Sequence, residues 1–253
     1  MILRLALLLV AAAGLVASGC ATQPGGDDSR HPSQTLQFFG LRPDMTVVEV
    51  WPGGGRHTEV LAPYLRERGQ LYVAHLDPAS SEYARRTVED FRSKIAGRSD
   101  LYDKVVVTAL AAPPARNAIA PAGTADLAVS FLNLHNWMMF GWQREAFEAM
   151  YAALKPGGLL GVVEHRGDPR RPQDPKAASG YVQEHYAIEL IESVGFKLVG
   201  RSEVNANSRD TKDYEKGVWA LPPTFAEGAK DRERYAAIGE SDRFTLKFVK
   251  VAR

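Results

Sequence analysis

The stretch VEVWPGGGRHTEVLAPYL, Val48 to Leu65, decides the fold. Its first residues belong to a short apolar, β-branched run, MTVVEV (Met45–Val50), of the kind that forms a central strand of a parallel sheet. Three consecutive glycines follow, and then Thr58 to Arg68 puts Val60, Leu61, Tyr64 and Leu65 on one helical face. Strand, glycine turn and helix in that order is how nucleotide-binding loops are built. Trp51 and Pro52 stand where such a loop opens with glycine. A tryptophan resists positive φ, and a residue before proline is pushed toward extended conformations. The strand is therefore expected to run on through Trp51, with the turn on Gly53-Gly54-Gly55, which tolerate positive φ and close backbone approach. The bland alternative is that these glycines only let helix and strand pack tightly.

Working outward, QLYVAHLD is a second strand closing on Asp77, and Ser81–Ala96 is a charged amphipathic helix with Tyr83, Val88, Phe91 and Ile95 as its expected buried side. KVVVTAL is a third strand. A fourth, Leu127–Phe131, runs into a polar and aromatic turn, NLHNW. The helix QREAFEAMYAALKPGG, apolar at Ala146, Phe147, Met150 and Leu154, stops at Pro156-Gly157-Gly158. The strand LLGVVEH, a helix ending at Gly195, the strand KLVGRSEV and a terminal strand FTLKFVKVA complete the order. Strands alternating with helices imply right-handed crossovers and a parallel sheet covered on both faces. No ordinary helix separates the last two strands. Residues 205–240 are instead a polar, Pro-containing insertion, so the last strand is expected to run antiparallel.

The chain has 253 residues, 45% hydrophobic and 24% charged, which suits one α/β domain. A net charge of +1 with no basic stripe argues against nucleic acid as a partner. Residues 1–19 read as a signal peptide: Arg4, an uncharged apolar run from Leu5 to Ala17, and small residues before Cys20. The run is too short to span a bilayer comfortably. Cys20 is the sole cysteine, so an internal disulfide is excluded and lipid attachment is the economical reading. ASGC resembles a bacterial lipobox, although Ala17 stands where leucine is more usual. Residues 20–33, rich in Gly, Pro and Asp, read as a flexible tether to a domain spanning 34–253. The expected place is the bacterial cell envelope, lipid-anchored and facing the periplasm.

Taken together, VVEVWPGGG, LYVAHLDP, DLAVSFLNLHNW and LKPGGLLGVVEH resemble the class I S-adenosylmethionine-dependent methyltransferase fold, a doubly wound α/β, mostly parallel seven-stranded sheet with an antiparallel last strand. EVWPGGG and NLHNW, with SDRFTLKF near the end, resemble more narrowly a group of exported bacterial predicted methyltransferases. The resemblance implies S-adenosylmethionine as cofactor. Glu49 is then the acidic residue ending the first strand, Trp51 replaces the first loop glycine, and Gly53, Gly54 and Gly55 form the turn toward the methionine portion. Asp77, about 28 residues after Glu49, takes the position that accepts the ribose hydroxyls, or His75 if the strand is two residues shorter. The segment after strand three, TALAAPPARNA, offers no carboxylate for the adenine amine, only Asn117 or backbone groups.

NLHNW falls at the carboxyl end of strand four, where open α/β sheets bind ligands. Asn133 is assigned to the cofactor side of this turn, and His135 and Asn136 to catalysis: a neutral imidazole can accept a proton and a carboxamide can align a nucleophile. Glu164 and His165, ending strand five, face the same rim; the competing reading is a solvated strand end. The histidines show no metal-ligand spacing such as His-Glu-x-x-His, and no metal is expected. No Gly-x-Ser-x-Gly elbow is present. Asp242-Arg243 reads as an ion pair or turn contact. Three functional readings stand: an exported, lipid-anchored methyltransferase of a small-molecule or unknown methyl acceptor; a non-catalytic ligand-binding lipoprotein retaining the fold; and action in the cytoplasm before or without export.

Overall fold

A computed structural model describes residues 30–115 and 117–251. The signal segment and Cys20 lie outside the described residues. Among those residues no helix is long and apolar enough to cross a membrane.

Seven strands form one sheet: β1 (Thr46–Val50), β2 (Gln70–His75), β3 (Val105–Ala109), β4 (Ala125–Phe131), β5 (Leu154–His165), β6 (Phe196–Ser202) and β7 (Arg243–Lys250). Their order is β3-β2-β1-β4-β5-β7-β6, and β7 runs antiparallel to both neighbours. The expected fold class holds in full. Alternation along the strands explains why both faces are covered. Val47, Leu71, Val73, Leu127 and Val129 point to one apolar cluster, with Phe39, Leu61, Leu65 and Phe91 from the helices α1 (Pro32–Phe39), α2 (Thr58–Leu65) and α3 (Glu82–Ala96). Val48, Val50, Ala74, Ala128, Leu160 and Val162 point to the other. There they meet Trp137, Met138, Phe147, Met150 and Ile191. These come from α5 (Leu134–Phe140), α6 (Gln143–Ala153) and α7 (Glu184–Val194), α4 being the short Ser99–Tyr102 turn. Gly161 in β5 exists to admit Phe39: a Cβ there would lie 2.4 Å from the ring.

Several local expectations are corrected. Tyr64 and Tyr83 are 46% and 74% exposed, not buried, because nearby Ala62, Leu65 and Ala84 take the core positions and leave the phenols to water. Strand β4 starts at Ala125, earlier than expected, and the polar turn after it winds into α5. Helix α1 begins at Pro32, a good first helical residue. Arg30 also pairs with Glu240, a contact made from before Gln34. Segment 205–240 carries a 3-10 turn, Gly217–Ala220, and α8 (Arg232–Ile238), and packs around its own cluster of Tyr214, Ala220, Leu221 and Tyr235.

This topology sets the site. The carboxyl ends of β1, β2, β3, β4 and β5 share one edge of the sheet with the start of β7, where His165 pairs with Arg243. The order reverses between β1 and β4, which opens a crevice between the loops that follow them.

Candidate functional site

Strand β1 ends at Val50, and Trp51 adopts φ 46. The expectation of an extended Trp51 is therefore wrong. Local preference loses to tertiary contacts. The Trp51 amide donates to Ala74 O (2.8 Å) and its indole Nε1 to Leu110 O (3.0 Å). The ring meets Trp137 and Trp142 edge-on at centroid distances of 5.8 and 5.4 Å. A left-handed non-glycine residue costs of order 1–3 kcal/mol, which these contacts offset. The turn does fall on the glycines, with Gly53 at φ 57 and Gly55 at φ 82. A side chain at Gly53 or Gly54 would meet nothing within 4 Å, whereas one at Gly55 would strike Phe91. Gly55 is thus a packing glycine, and Gly53 and Gly54 face open space.

Beneath the turn lies Glu49, fully buried. Its Oε2 accepts a hydrogen bond from Thr58 Oγ1 (2.5 Å). Its Oε1 has no partner among the described residues. Burial pushes its carboxyl up to about 7, although the Thr58 bond and the Lys94 charge oppose the shift. Lys94 also donates to Gly54 O (2.6 Å) and fixes the turn from α3. His57 stacks on Phe131 at 3.5 Å between centroids, and burial, with Arg30, Arg56 and Arg243 nearby, lowers it to about 3.

Strand β2 ends at His75, two residues before Asp77. Asp77 Oδ1 accepts from Ala79 N (2.9 Å) in a tight turn, and the residue is partly exposed at the crevice edge. His75 is buried, accepts Leu76 N at Nδ1 (2.7 Å), and is lowered to about 4 by burial. Asn117 is spent on its own loop, bonded both ways to the Ala111 backbone (2.7 and 2.8 Å).

On the other side of the crevice, Leu132 after β4 is also left-handed, at φ 59. Asn133 Nδ2 donates to Val50 O (2.9 Å), tying this turn to the end of β1. His135 is buried, with Nδ1 2.9 Å from Glu164 Oε1. Glu164 is fully buried and also accepts from the amides of His135 (3.1 Å) and His165 (2.8 Å). His165 Nδ1 sits 2.5 Å from Ser241 Oγ, and the His135 and His165 ring centroids are 5.3 Å apart. Burial first, then His135, Arg243 and Arg30, holds His165 well below the usual imidazole range. Asn136 is half-buried, and its side chain makes a long contact to Leu132 O (3.4 Å).

A cavity of about 140 Å³ opens beside this cluster. Leu132, His165 and Arg243 form its floor, and Trp219, Pro222 and Thr224 of the 205–240 segment cover it. Asp242 and Arg243 do not pair with each other: Asp242 binds Lys212 (3.0 Å), and Arg243 pairs with Glu240.

The structure therefore brings Glu49, Trp51, Gly53, Gly54 and Asn133 together around one turn, with Asp77 at its edge, and His135, Glu164 and His165 around a second centre. Sequence spacing did not reveal the second centre as a three-group cluster, because its members carry no metal-motif spacing. One ligand atom of each of the three lies within 4.8 Å of the others. The available signal was that NLHNW and EH end strands that pair side by side, Phe131 against Val163.

No protein-family model matches the chain, and no curated protein sequence matches it. Solved structures do resemble it. An S-adenosylmethionine-dependent methyltransferase from Aquifex aeolicus superposes with a TM-score of 0.58 at 17% identity, over 89% of this chain and 94% of that one. The [4+2]-cyclase SpnF gives 0.60 at 17%, over 89% and 81%. The N-methyltransferase NodS from Bradyrhizobium japonicum WM9 gives 0.54 at 15%, over 89% and 97%. At such identities the likeness establishes the fold, and one fold hosts several chemistries.

Proposed function

We propose that the protein is an S-adenosylmethionine-dependent methyltransferase, with the cofactor at the ends of β1 and β2 and the acceptor between that site and the His135–Glu164–His165 cluster. The observation that carries this reading is the unpartnered Glu49 Oε1 beneath the open Gly53-Gly54 turn. A buried carboxylate with one oxygen unsatisfied is costly unless a cationic group completes it. The α-ammonium of the methionine portion is such a group, so the residues present fit the cofactor. When bound, the cofactor supplies an activated sulfonium methyl.

The chain's own residues then bind and align. Glu49 and the Gly53-Gly54 backbone hold the amino-acid end, and Asp77, with one carboxylate oxygen used in its turn, offers the other to ribose hydroxyls. Asn133 keeps the two turns in register. His135, oriented by Glu164, accepts a proton from the acceptor, and Asn136 positions it. Proximity supplies most of the rate, because in-line alignment removes the entropy of encounter. We place the protein in the cell envelope, anchored through lipid at Cys20, on the strength of its apolar leader and sole cysteine.

A second reading, a binding lipoprotein that has kept the fold and changed its ligand, is favoured by Trp51. Its indole is bonded to Leu110 O, directly after β3, and the Asn117 amide is consumed by Ala111. No carboxylate is left there for an adenine amine. Titration calorimetry of the full chain in detergent with S-adenosylhomocysteine separates the two. A saturable heat that Asp77→Ala weakens by about tenfold, roughly 1.4 kcal/mol, supports the methyltransferase. No heat at millimolar ligand from folded protein removes it and leaves the binding lipoprotein.

A further inference from the structure

The second centre has a composition that proton transfer alone does not explain. His135, Glu164 and His165 come from the ends of two adjacent parallel strands, and one donor atom of each falls within 4.8 Å of the other two. Two imidazoles and one carboxylate, with a cavity on one side, are the donor set of mononuclear transition-metal sites that keep open coordination positions. We propose that His135, Glu164 and His165 bind one divalent first-row transition cation, zinc being the probe that suits them, with its open positions facing the cavity under Trp219.

One of the separations already matches such a site. Ligands at 2.0–2.2 Å from a common ion stand about 3.0–3.4 Å apart, for angles between octahedral and tetrahedral. His135 Nδ1 and Glu164 Oε1 already stand 2.9 Å apart. A ring nitrogen of His165 lies within 4.8 Å of both.

The supporting shell is also in place. Ligating groups in metal sites are themselves oriented by hydrogen bonds. Glu164 is held by the amides of His135 and His165, so its carboxylate cannot swing away. Ser241 Oγ engages His165 Nδ1, which leaves Nε2 as the coordinating nitrogen. Arg243 and Trp219 line the same cavity, and Trp219 lies edge-on to His135 at 6.2 Å. An oxygen-donor ligand entering there would reach the ion and the Arg243 side of the cavity together. A metal-bound His135 could not also serve as the proton acceptor of the functional reading, and cofactor binding at Glu49 and Asp77 does not involve the cluster, so this inference and that reading can fail separately.

The test uses the full chain, purified in detergent without a histidine tag and stripped with a chelator. Zinc and cobalt(II) are then added as probes. The expected result is about one equivalent of zinc per chain and a cobalt ligand-field spectrum of low symmetry. His135→Ala and His165→Ala should each weaken zinc by about 100-fold or more, and Ser241→Ala by about tenfold, as loss of an orienting bond does. His185→Ala, at an exposed position on α7, should leave binding unchanged. Should a ligand variant fail to fold, the wild type decides by nitrogen-15 shifts of the imidazoles. Zinc must move His135 and His165 and spare His57. Less than stoichiometric uptake by folded wild type overturns the proposal. So does wild-type affinity in both histidine variants, or imidazole shifts confined to other histidines.

Discussion

Two buried carboxylates end two strands of the same sheet, and they are treated in opposite ways. Glu164, at the end of β5, accepts from two backbone amides and faces the His135 ring, all within 3.1 Å. Glu49, at the end of β1, has one hydroxyl partner and one oxygen with none among the described residues. Both are fully buried. A saturated carboxylate is a fixed part of the protein: it orients imidazoles and stays put. An unsaturated one carries a standing desolvation cost, visible in a carboxyl pushed up to about 7. Burying a polar group without a partner is tolerated where something else completes it. The β1 side is therefore left open to the cationic group of a ligand, while the β5 carboxylate is fixed in one orientation, as an orienting or ligating group must be.

Removing Glu164 should do the most damage. Glu164→Ala strands the amides of His135 and His165 and the His135 ring in a buried setting. We expect a loss of about 3 kcal/mol, since each orphaned donor costs of order 1–3 kcal/mol and water in the neighbouring cavity recovers part of it. Urea unfolding measures it. A loss below about 1 kcal/mol would show that the carboxylate is not the anchor its contacts imply.

Glu49→Gln should act through pH. The folded carboxyl titrates near 7 against an ordinary 4.5, so the folded chain holds a proton that the unfolded chain has lost between those values. Its contribution to stability is thus fully present below 4.5 and lost as pH rises through 7. The loss amounts to about 3 kcal/mol, at 1.36 kcal/mol per pH unit. His57 works the other way: lowered to about 3, it gives full stability above 6.5 and loses it as pH falls toward 3. Because His57 is present in both proteins, the difference between Glu49→Gln and wild type isolates Glu49. That difference should move toward the variant by about 3 kcal/mol between pH 4.5 and pH 8. Saturating S-adenosylhomocysteine should shrink the shift, because its ammonium would pair with the ionised wild-type carboxylate. A pH-independent difference would mean that Glu49 is already paired, and the contrast with Glu164 would collapse.

The sheet was legible because its signals are periodic. Val47 and Val48 point to opposite faces, and the same alternation recurs in Leu127 and Ala128, so strand-by-strand reading assembles the whole order. What stayed hidden depends on contacts between distant parts of the chain. Trp51 violates its local preference because Leu110, Trp137 and Trp142 hold its ring. Tyr64 and Tyr83 are apolar enough to be assigned inward, yet the smaller Ala62 and Ala84 fit under the sheet. His135 and His165 are 30 positions apart and meet only because β4 and β5 pair in parallel. Metal-motif spacing, which describes neighbours on one helix or loop, had no means of finding them.

Trp51→Phe sharpens the β1 side further. Phenylalanine keeps most of the edge-on packing but cannot donate to Leu110 O, which belongs to a fully buried residue. A loss of about 1–2 kcal/mol in urea unfolding is expected. The ligand outcome is more informative. If adenine recognition has been surrendered to the indole, the smaller ring should tighten S-adenosylhomocysteine binding by severalfold. Weaker binding would mean that Trp51 forms a wall of the site.

The smallest stability effect is expected at Gly53, and it decides what the glycine turn is for. Gly53→Ala places a Cβ at φ 57 with nothing within 4 Å, so the cost is backbone strain alone. A single left-handed alanine costs about 1 kcal/mol. Gly55→Ala is the reference, because its Cβ would lie 2.9 Å from the Phe91 ring and must also displace a buried side chain. If the turn is a packing device, both variants lose ligand affinity only in proportion to lost stability, and Gly55→Ala loses more of each. If the Gly53 backbone approaches a ligand, the order reverses for binding. Gly53→Ala should then remain folded with a Tm close to wild type, yet bind S-adenosylhomocysteine at least tenfold more weakly, roughly 1.4 kcal/mol. Gly55→Ala should melt earlier and bind nearly normally once folded. Thermal melts and calorimetry on the same two proteins give the answer. Parallel losses in both would return the turn to packing and leave Glu49 without the ligand its open oxygen calls for.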